Sequence, residues 1–334
     1  MKLLIITRYT KSFASSRYRA YQIGRYFQDN VSVKIIPLMD PGEKNRVKKK
    51  IIYLKNFISS RFRIIFSNTI YFHKARFSNW EMKLLKFFGK TIILSIDDLP
   101  SQKFINFNCN SVDVVLCGSK YIERMFQKNG FVTKLWVTTF SKKYIRKNNN
   151  SFKLNIPPVI AWIGSVGGGR NISKIVSSLD DIYKNQKIEL RVITKKIFLK
   201  KYPSNLLNKS YFVFKEWELE KEWDYFDGID ILIMPLDNSP ESKGKSGFKI
   251  LQAMARGVPC VCSRTEANEL LIKDGYNGFV CNSISEWGEK LKKLLDDKNL
   301  RKKFVSNSYD KIKNEGLIFE DKIKEIEKFF KILN

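Results

Sequence analysis

Short runs of consecutive apolar residues alternate with helix-periodic stretches along this chain, and the alternation occurs twice. Strands covered on both faces need no polar alternation, so this pattern predicts parallel sheets with helices on either side. In the first half the strand candidates are Leu3–Thr7, Val31–Pro37, Thr69–Phe72, Thr91–Ile96 and Val114–Cys117, with helical patterns at Ser16–Gln28, Trp80–Phe88 and Tyr121–Lys128. In the second half they are Val159–Ile163, Glu189–Thr194, Ile229–Met234, Val258–Cys262 and Gly278–Cys281, with helices at Ser173–Tyr183, Phe248–Arg256 and Ser285–Leu295. The expectation is an α/β chain of two doubly wound, Rossmann-like domains facing a central cleft, with ligands at the carboxyl ends of the strands. Its 334 residues suit two domains. The polar stretch Ser141–Leu154, followed by Pro157-Pro158, marks the joint. The expected units are residues 1–150, residues 156–316 and a C-terminal amphipathic helix within 317–334. In that helix Phe319, Ile323, Ile326, Phe329, Phe330 and Leu333 recur at helical spacing to pack on the core.

Charge is unevenly spread. The net charge is +28, and residues 1–150 hold 29 lysines and arginines against 8 acidic residues. This asymmetry points to an anionic partner of the first half: a membrane surface, a phosphorylated substrate or nucleic acid. Lys44–Phe66 interleaves eight basic residues with Ile51, Ile52, Tyr53, Leu54, Phe57, Ile58 and Phe62. Such a composition suits an interfacial helix on an anionic bilayer, a nucleic-acid contact, or an ordinary amphipathic helix with a solvated lysine face. No apolar run reaches the length of a membrane span, and the apolar stretch Leu3–Ile6 is too short for a signal peptide. Five cysteines without zinc spacing, three of them in strand runs, read as reduced core thiols of a cytoplasmic protein.

Two stretches of the second half carry chemistry. Ala161–Asn171 (AWIGSVGGGRN) follows a buried strand and precedes a helix. Its glycines, among them Gly164, beside Ser165 and Arg170, suit either a phosphate loop or a tight strand–helix turn. It is neither a dinucleotide fingerprint nor a Walker loop. In Asp227–Asn282, a strand ends at Pro235, a loop carries Lys243, Gly244, Lys245, Ser246 and Gly247, and a helix runs from Phe248 to Arg256 and stops at Gly257. The helix start can hold a diphosphate, with Lys245 and Lys249 as cations and Gln252 as a hydrogen-bonding group for ribose hydroxyls. A basic surface loop is the alternative reading.

These residues carry a resemblance. Asp230-Ile231-Leu232-Ile233-Met234-Pro235, Gly247-Phe248-Lys249, Ala253-Met254-Ala255-Arg256-Gly257-Val258-Pro259, Glu266-Ala267-Asn268-Glu269 and Asp274–Phe279 together resemble the donor-binding core of the group 1 glycosyltransferases, the retaining GT-B superfamily. The chain is most similar to a branch with a G-K-x-G-F-K-x-L-Q-x-M-A donor motif. Trp217-Glu218, Trp287 and Asp297–Arg301 extend the likeness, which is specific over about residues 156–315. The superfamily's E-x7-E pair would fall on Gly244 and Gln252, neither of which is acidic. By resemblance those positions face the donor sugar and the ribose, so Gly244 contributes backbone only and Gln252 an amide that both donates and accepts.

The resemblance implies further site residues in the first half. Ala14–Arg19 is similar to the family's first loop, which makes Arg17 and Arg19 cleft-facing; the alternative is an N-cap at Ser15 or Ser16 with solvated arginines. Asp97 and Asp98 resemble an acidic strand edge near an acceptor hydroxyl, or they are turn residues. His73, the only histidine, falls where the family places an acceptor-side polar residue, although a lone histidine is more often structural. Gly118-Ser119 matches a helix start and reads as a cap.

The resulting expectation is a metal-independent, retaining glycosyltransferase of hexosyl type. It would move sugar from a nucleotide-diphosphate sugar, its co-substrate, to a glycan or polyprenyl-diphosphate-linked acceptor in surface polysaccharide or glycoconjugate synthesis. It would work peripherally on the inner face of the cell membrane and need no other cofactor. Arg170, Lys245, Lys249 and Asp97 are the catalytic candidates. Gly164, Ser165, Trp217, Gly244, Ser246, Gly247, Phe248 and Gln252 would bind the donor, and Arg17, Arg19, His73 and Asp98 the acceptor. The alternatives are a basic nucleic-acid-binding protein, without a recognised motif for it, and a GT-B protein of other chemistry, such as a nucleotide-sugar epimerase or an inactive scaffold.

Overall fold

The computed structural model describes residues 2–29, 31–146, 152–165 and 168–333. Part of the expected joint (147–151), and Val166 and Gly167 of the glycine loop, lie outside the described residues. The chain forms two units: Met1–Phe140 with Gly244–Ser246 and Phe319–Asn334, and Ser141–Lys243 with Gly247–Ile318.

The first unit holds a six-stranded parallel sheet of β1 (Lys2–Tyr9), β2 (Ser32–Met39), β3 (Thr69–His73), β4 (Thr91–Ile96), β5 (Val114–Cys117) and β6 (Thr133–Leu135), in the order β2-β1-β3-β4-β5-β6. Ile5 stands opposite Ile35 on one side and Tyr71 on the other. Leu4 and Ile6 point into one core and Leu3 and Ile5 into the other, which is why β1 is apolar without interruption. Ile64, Met82, Leu85, Ile122 and Phe126, from the helices Arg46–Ile65, Asn79–Phe87 and Lys120–Gln127, cover the first face. Ile23 and Phe27 cover the second with Phe319, Ile323, Ile326 and Phe330 of the helix Phe319–Leu333. Burying each of these large side chains contributes about 1.5–3 kcal/mol.

The second unit repeats the plan with β7 (Val159–Ile163), β8 (Glu189–Thr194), β9 (Phe212–Glu216), β10 (Ile231–Met234), β11 (Cys260–Ser263) and β12 (Phe279–Cys281), all parallel, in the order β12-β11-β10-β7-β8-β9. Ile160, Trp162, Ile231, Ile233 and Val261 meet Leu179, Ile182, Leu291, Leu294 and Phe304 from the helices on one face. The helix Phe248–Ala255 packs against β10 and β11.

Two strands appear that the apolar runs did not reveal, β6 and β9. Both lie at sheet edges and are only half covered, so neither forms a continuous apolar run. The helix expected over Ser173–Tyr183 is two, Gly168–Ser173 and Val176–Asn185. Cys117, Cys260, Cys262 and Cys281 are buried free thiols, and burial raises their pKa values, that of Cys117 to about 12. Among the described residues no helix is long and apolar enough to cross a membrane, and no group of three or more His, Cys, Asp or Glu is arranged to hold a metal.

Candidate functional site

In the second sheet the chain leaves β7 toward β8 and β9, then returns to β10 and runs the other way to β11 and β12. The loops after β7 and β10 therefore emerge side by side at the carboxyl ends, where such sheets take ligands. Across this switch point Arg170 Nη2 lies 2.9 Å from Asp237 Oδ2, with Lys174 Nζ at 3.9 Å. Asp237 Oδ1 accepts from the Ser239 hydroxyl, from Ser242 Oγ (2.6 Å) and from the Ser239 amide (3.2 Å). The two hydroxyls, then the Ser239 amide and the Arg170 charge, hold this carboxyl well below the usual range. Asp237 is nearly covered, whereas Arg170 is 67% exposed and still turns donors outward.

The helix that follows the β10 loop starts at Gly247, with φ of 68°. A Cβ there would lie 2.9 Å from Leu271 Cδ1 and 3.2 Å from the Ala267 carbonyl oxygen, so glycine meets both demands. No side chain caps the helix start, and its first-turn amides and dipole suit an anion. Phe248 is half-buried at the first position. Lys249 Nζ donates to Gln252 Oε1 (2.9 Å) and lies 3.6 Å from Glu222 Oε1, a buried carboxylate. Gln252 itself is fully buried, which corrects the expectation that it faces ribose hydroxyls. This short helix is enclosed from Ile250 to Ala255, and no outward side remains for the amide.

The other expected donor residues are distributed as follows. Gly164 donates its amide to the Ile193 carbonyl (3.1 Å), and Ser165 is exposed beyond it. Trp217 follows β9, half-buried, with the Lys195 ammonium 5.6 Å from its ring centre. Gly244 is buried, Lys245 exposed and Ser246 half-buried; these three group with the first unit. Much of the motif is structural stitching. Asp230 Oδ2 accepts from the Val159 amide (2.7 Å), fixing β7 beside β10. Asp274 Oδ1 accepts from the Val280 amide, and Asn277 ties the turn to Lys273 and Leu271. A groove of about 750 Å³ bordered by Asn155, Pro157, Tyr183 and Glu189 lies at the opposite, amino-terminal end of the second sheet, away from these loops.

In the first unit the expected cleft residues behave differently. Arg17 sits in a π-helical turn, Arg17–Tyr21, and donates to the Lys11 carbonyl (2.8 Å). Neither Ser15 nor Ser16 caps a helix through its side chain: Phe13 holds the N-cap position of the first turn, and Ser16, at the N-cap of the π turn, makes no capping bond. Arg19 is fully buried. Its guanidinium donates to Ser95 Oγ (3.0 Å), the Leu116 carbonyl (3.0 Å), the Trp136 carbonyl and Thr138 Oγ1 (3.4 Å). It braces the sheet from within and does not face a cleft, because all four of its acceptors lie inside the unit. His73 is fully buried as well, with Nδ1 3.3 Å from Ser95 Oγ. Burial, then the Lys74 and Arg19 charges, push its pKa well below 6.5 and keep the ring neutral. An acceptor-facing His73 is therefore corrected to an internal one. Asp97 is nearly buried and pairs with Lys74 Nζ at 2.8 Å; Asp98, half exposed, pairs with the same ammonium. Burial opposes charge on Lys74, but the two carboxylates prevail and raise its pKa. Lys74 also takes a left-handed φ of 51°. A Cβ on Gly118, after β5, would lie 2.7 Å from Asp97 Cα. Ser119 caps the next helix through the Ile122 amide, as expected.

Asp237, Glu222 and Lys74 were not singled out by sequence reasoning. Asp237 carries a readable signal, an acid three residues past the end of a switch-point strand. Lys74 and Glu222 carry none, since their partners are distant in sequence.

Residues 146–311 match the family model for glycosyl transferases group 1. An uncharacterized glycosyltransferase of Methanocaldococcus jannaschii is 28% identical over 199 residues, 58% of this chain and 48% of that protein. A second from the same organism is 20% identical over 230 residues, 67% of this chain and 61% of that protein. The chain thus spans about half the length of the first of these curated relatives and under two thirds of the second. The crystal structure of Anabaena HepE in complex with UDP and glucose superposes with a TM-score of 0.74 at 11% identity, over 99% of this chain and all of that one. A likeness at such identity speaks for the fold alone. Two parallel six-stranded sheets and this superposition make the fold GT-B, with the match to group 1 glycosyltransferases carried by residues 146–311.

Proposed function

We propose that the protein transfers a sugar from a nucleotide-diphosphate sugar to an acceptor hydroxyl. The observation that carries this reading is the Arg170–Asp237 pair at the β7–β10 switch point, next in the chain to a helix start without a side-chain cap, all within the family match. As the bond between sugar and diphosphate breaks, negative charge grows on the leaving phosphate. Arg170, Lys245, Lys249 and the amides at Phe248–Lys249 offset it, with no metal resident in the protein. The UDP and glucose bound to HepE favour a UDP-hexose as the donor. Gly164, Ser165, Trp217 and Gly244–Phe248 border the donor, and Gln252 acts from inside by holding Lys249. The first domain takes the acceptor, a glycan or polyprenyl-diphosphate-linked hydroxyl of surface polysaccharide synthesis, at the inner membrane face. Arg17, Asp97 and Asp98 are its acceptor-side groups. The reaction retains anomeric configuration.

Thermal shifts with UDP, GDP, ADP and CMP sugars test the donor class, because a ligand bound only to the folded chain raises its midpoint. A shift with a UDP-sugar, unaffected by a metal chelator and lowered in Lys249→Ala, is the expected result. No shift with any nucleotide sugar sinks the reading.

A further inference from the structure

In the first unit, the helix Arg46–Ile65 has its buried side at Ser60 and Ile64. On its other side Val47, Ile51, Leu54, Ile58, Phe62 and Ile65 recur at spacings of three and four and are all exposed, Phe62 at 62%. The helix Asn79–Phe87 repeats the arrangement. Met82 and Leu85 are buried, while Trp80, Leu84, Phe87 and the adjoining Phe88 are exposed, Phe87 at 83%. Ile64, Met82 and Leu85 enter the same core, so both helices lie on one face of the sheet and turn their apolar stripes away from it. They are also joined directly. Arg61 Nη2 pairs with Glu81 Oε1 (2.8 Å), and Lys90 Nζ donates to the Ser67 carbonyl just past the first helix (2.7 Å). Two adjacent helices thus present a continuous kind of surface that a soluble face seldom has.

We infer that this two-helix face docks on a lipid bilayer carrying anionic headgroups. Charge selects this occupant. Arg46, Lys48, Lys49, Lys50, Lys55 and Arg63 are exposed on the first helix, which has no acidic residue, and Lys83 is exposed on the second. A bilayer supplies apolar depth for the stripe and negative charge for its flanks at once. A second copy of this face would instead set two cationic rows against each other. Aromatic side chains at the second helix's ends suit the boundary between headgroups and acyl chains. The inference rests on the proposed function only for the reason to be at a membrane, since it gives residues and a mode of contact to the surface where a lipid-linked acceptor would lie.

The test uses the full chain and vesicles of phosphatidylcholine, with and without phosphatidylglycerol. Sedimentation should require phosphatidylglycerol and weaken as salt rises. Phe62→Glu with Phe87→Glu should abolish it at unchanged thermal midpoint, because both side chains are exposed. Lys48→Gln, Lys49→Gln and Lys50→Gln together should weaken it on the order of a hundredfold, at roughly 1 kcal/mol per cation. Equal binding to neutral vesicles, no binding to either, or indifference to the glutamate pair overturns the inference; so does a solution dimer that the glutamate pair dissociates. Donor-induced thermal shift, measured without vesicles, reports on the proposed function separately.

Discussion

At the β1–β3 switch point of the first sheet Arg19 and His73 are turned inward; at the β7–β10 switch point of the second Arg170 remains at the surface. Arg19 is sealed by four acceptors and His73 is kept neutral beside it. Arg170, by contrast, holds Asp237 with one nitrogen while two thirds exposed. A buried cation needs a full set of fixed partners, and that set makes it a brace. A half-solvated one can exchange a protein partner for a ligand phosphate at small desolvation cost. Equivalent places in two related sheets thus serve rigidity in one and exchange in the other.

The strongest way to break this contrast is Arg19→Ala. It strips four acceptors of their buried donor and should lower unfolding stability by about 3–5 kcal/mol in urea titrations. A loss below about 1 kcal/mol would show that the guanidinium is not a brace. Asp237→Asn should act on the other edge. Arg170 loses its charged partner, kcat/KM for the donor should fall about tenfold to a hundredfold, and stability should change by only about 1 kcal/mol. A large stability loss with unchanged kinetics would make both edges structural. The smallest effect is in pH. Folded His73 resists protonation, whereas the unfolded chain takes the proton near pH 6.5. Its contribution is therefore present above that value and withdrawn as pH falls below it, by up to about 1.4 kcal/mol per pH unit. Urea midpoints should drop from about pH 7.5 to about pH 5.5, and His73→Gln should flatten that slope. An unchanged slope in the variant would place the ring in water.

The strands covered on both faces were legible because nothing interrupts their apolar runs: β4, β5, β7 and β8 fall where the residues put them. The edges β6 and β9 were not, since a strand with one partner carries polar residues such as Lys134 and Lys215. The loops of the donor motif were readable from Gly, Lys and Ser at a strand–helix junction. The direction of each side chain was not. Arg17 and Arg19 are two residues apart in one turn and so face opposite sides of it, and the sequence does not say which side is the inner one: Arg19 points inward while Arg17 reaches Lys11. Gln252 is hidden for a similar reason: it lies in the stretch Ile250–Ala255, where every residue of the helix is buried, and nothing in the sequence marks that enclosure.

Phe319, Ile323, Ile326 and Phe330 complete a core begun by Leu3 and Ile5. During synthesis, those early strands emerge from the ribosome long before their last covering helix exists. The first unit must wait, partly uncovered, while the whole of residues 141–318 is made, so nascent-chain protease resistance of its sheet should rise only once Phe330 has left the exit tunnel.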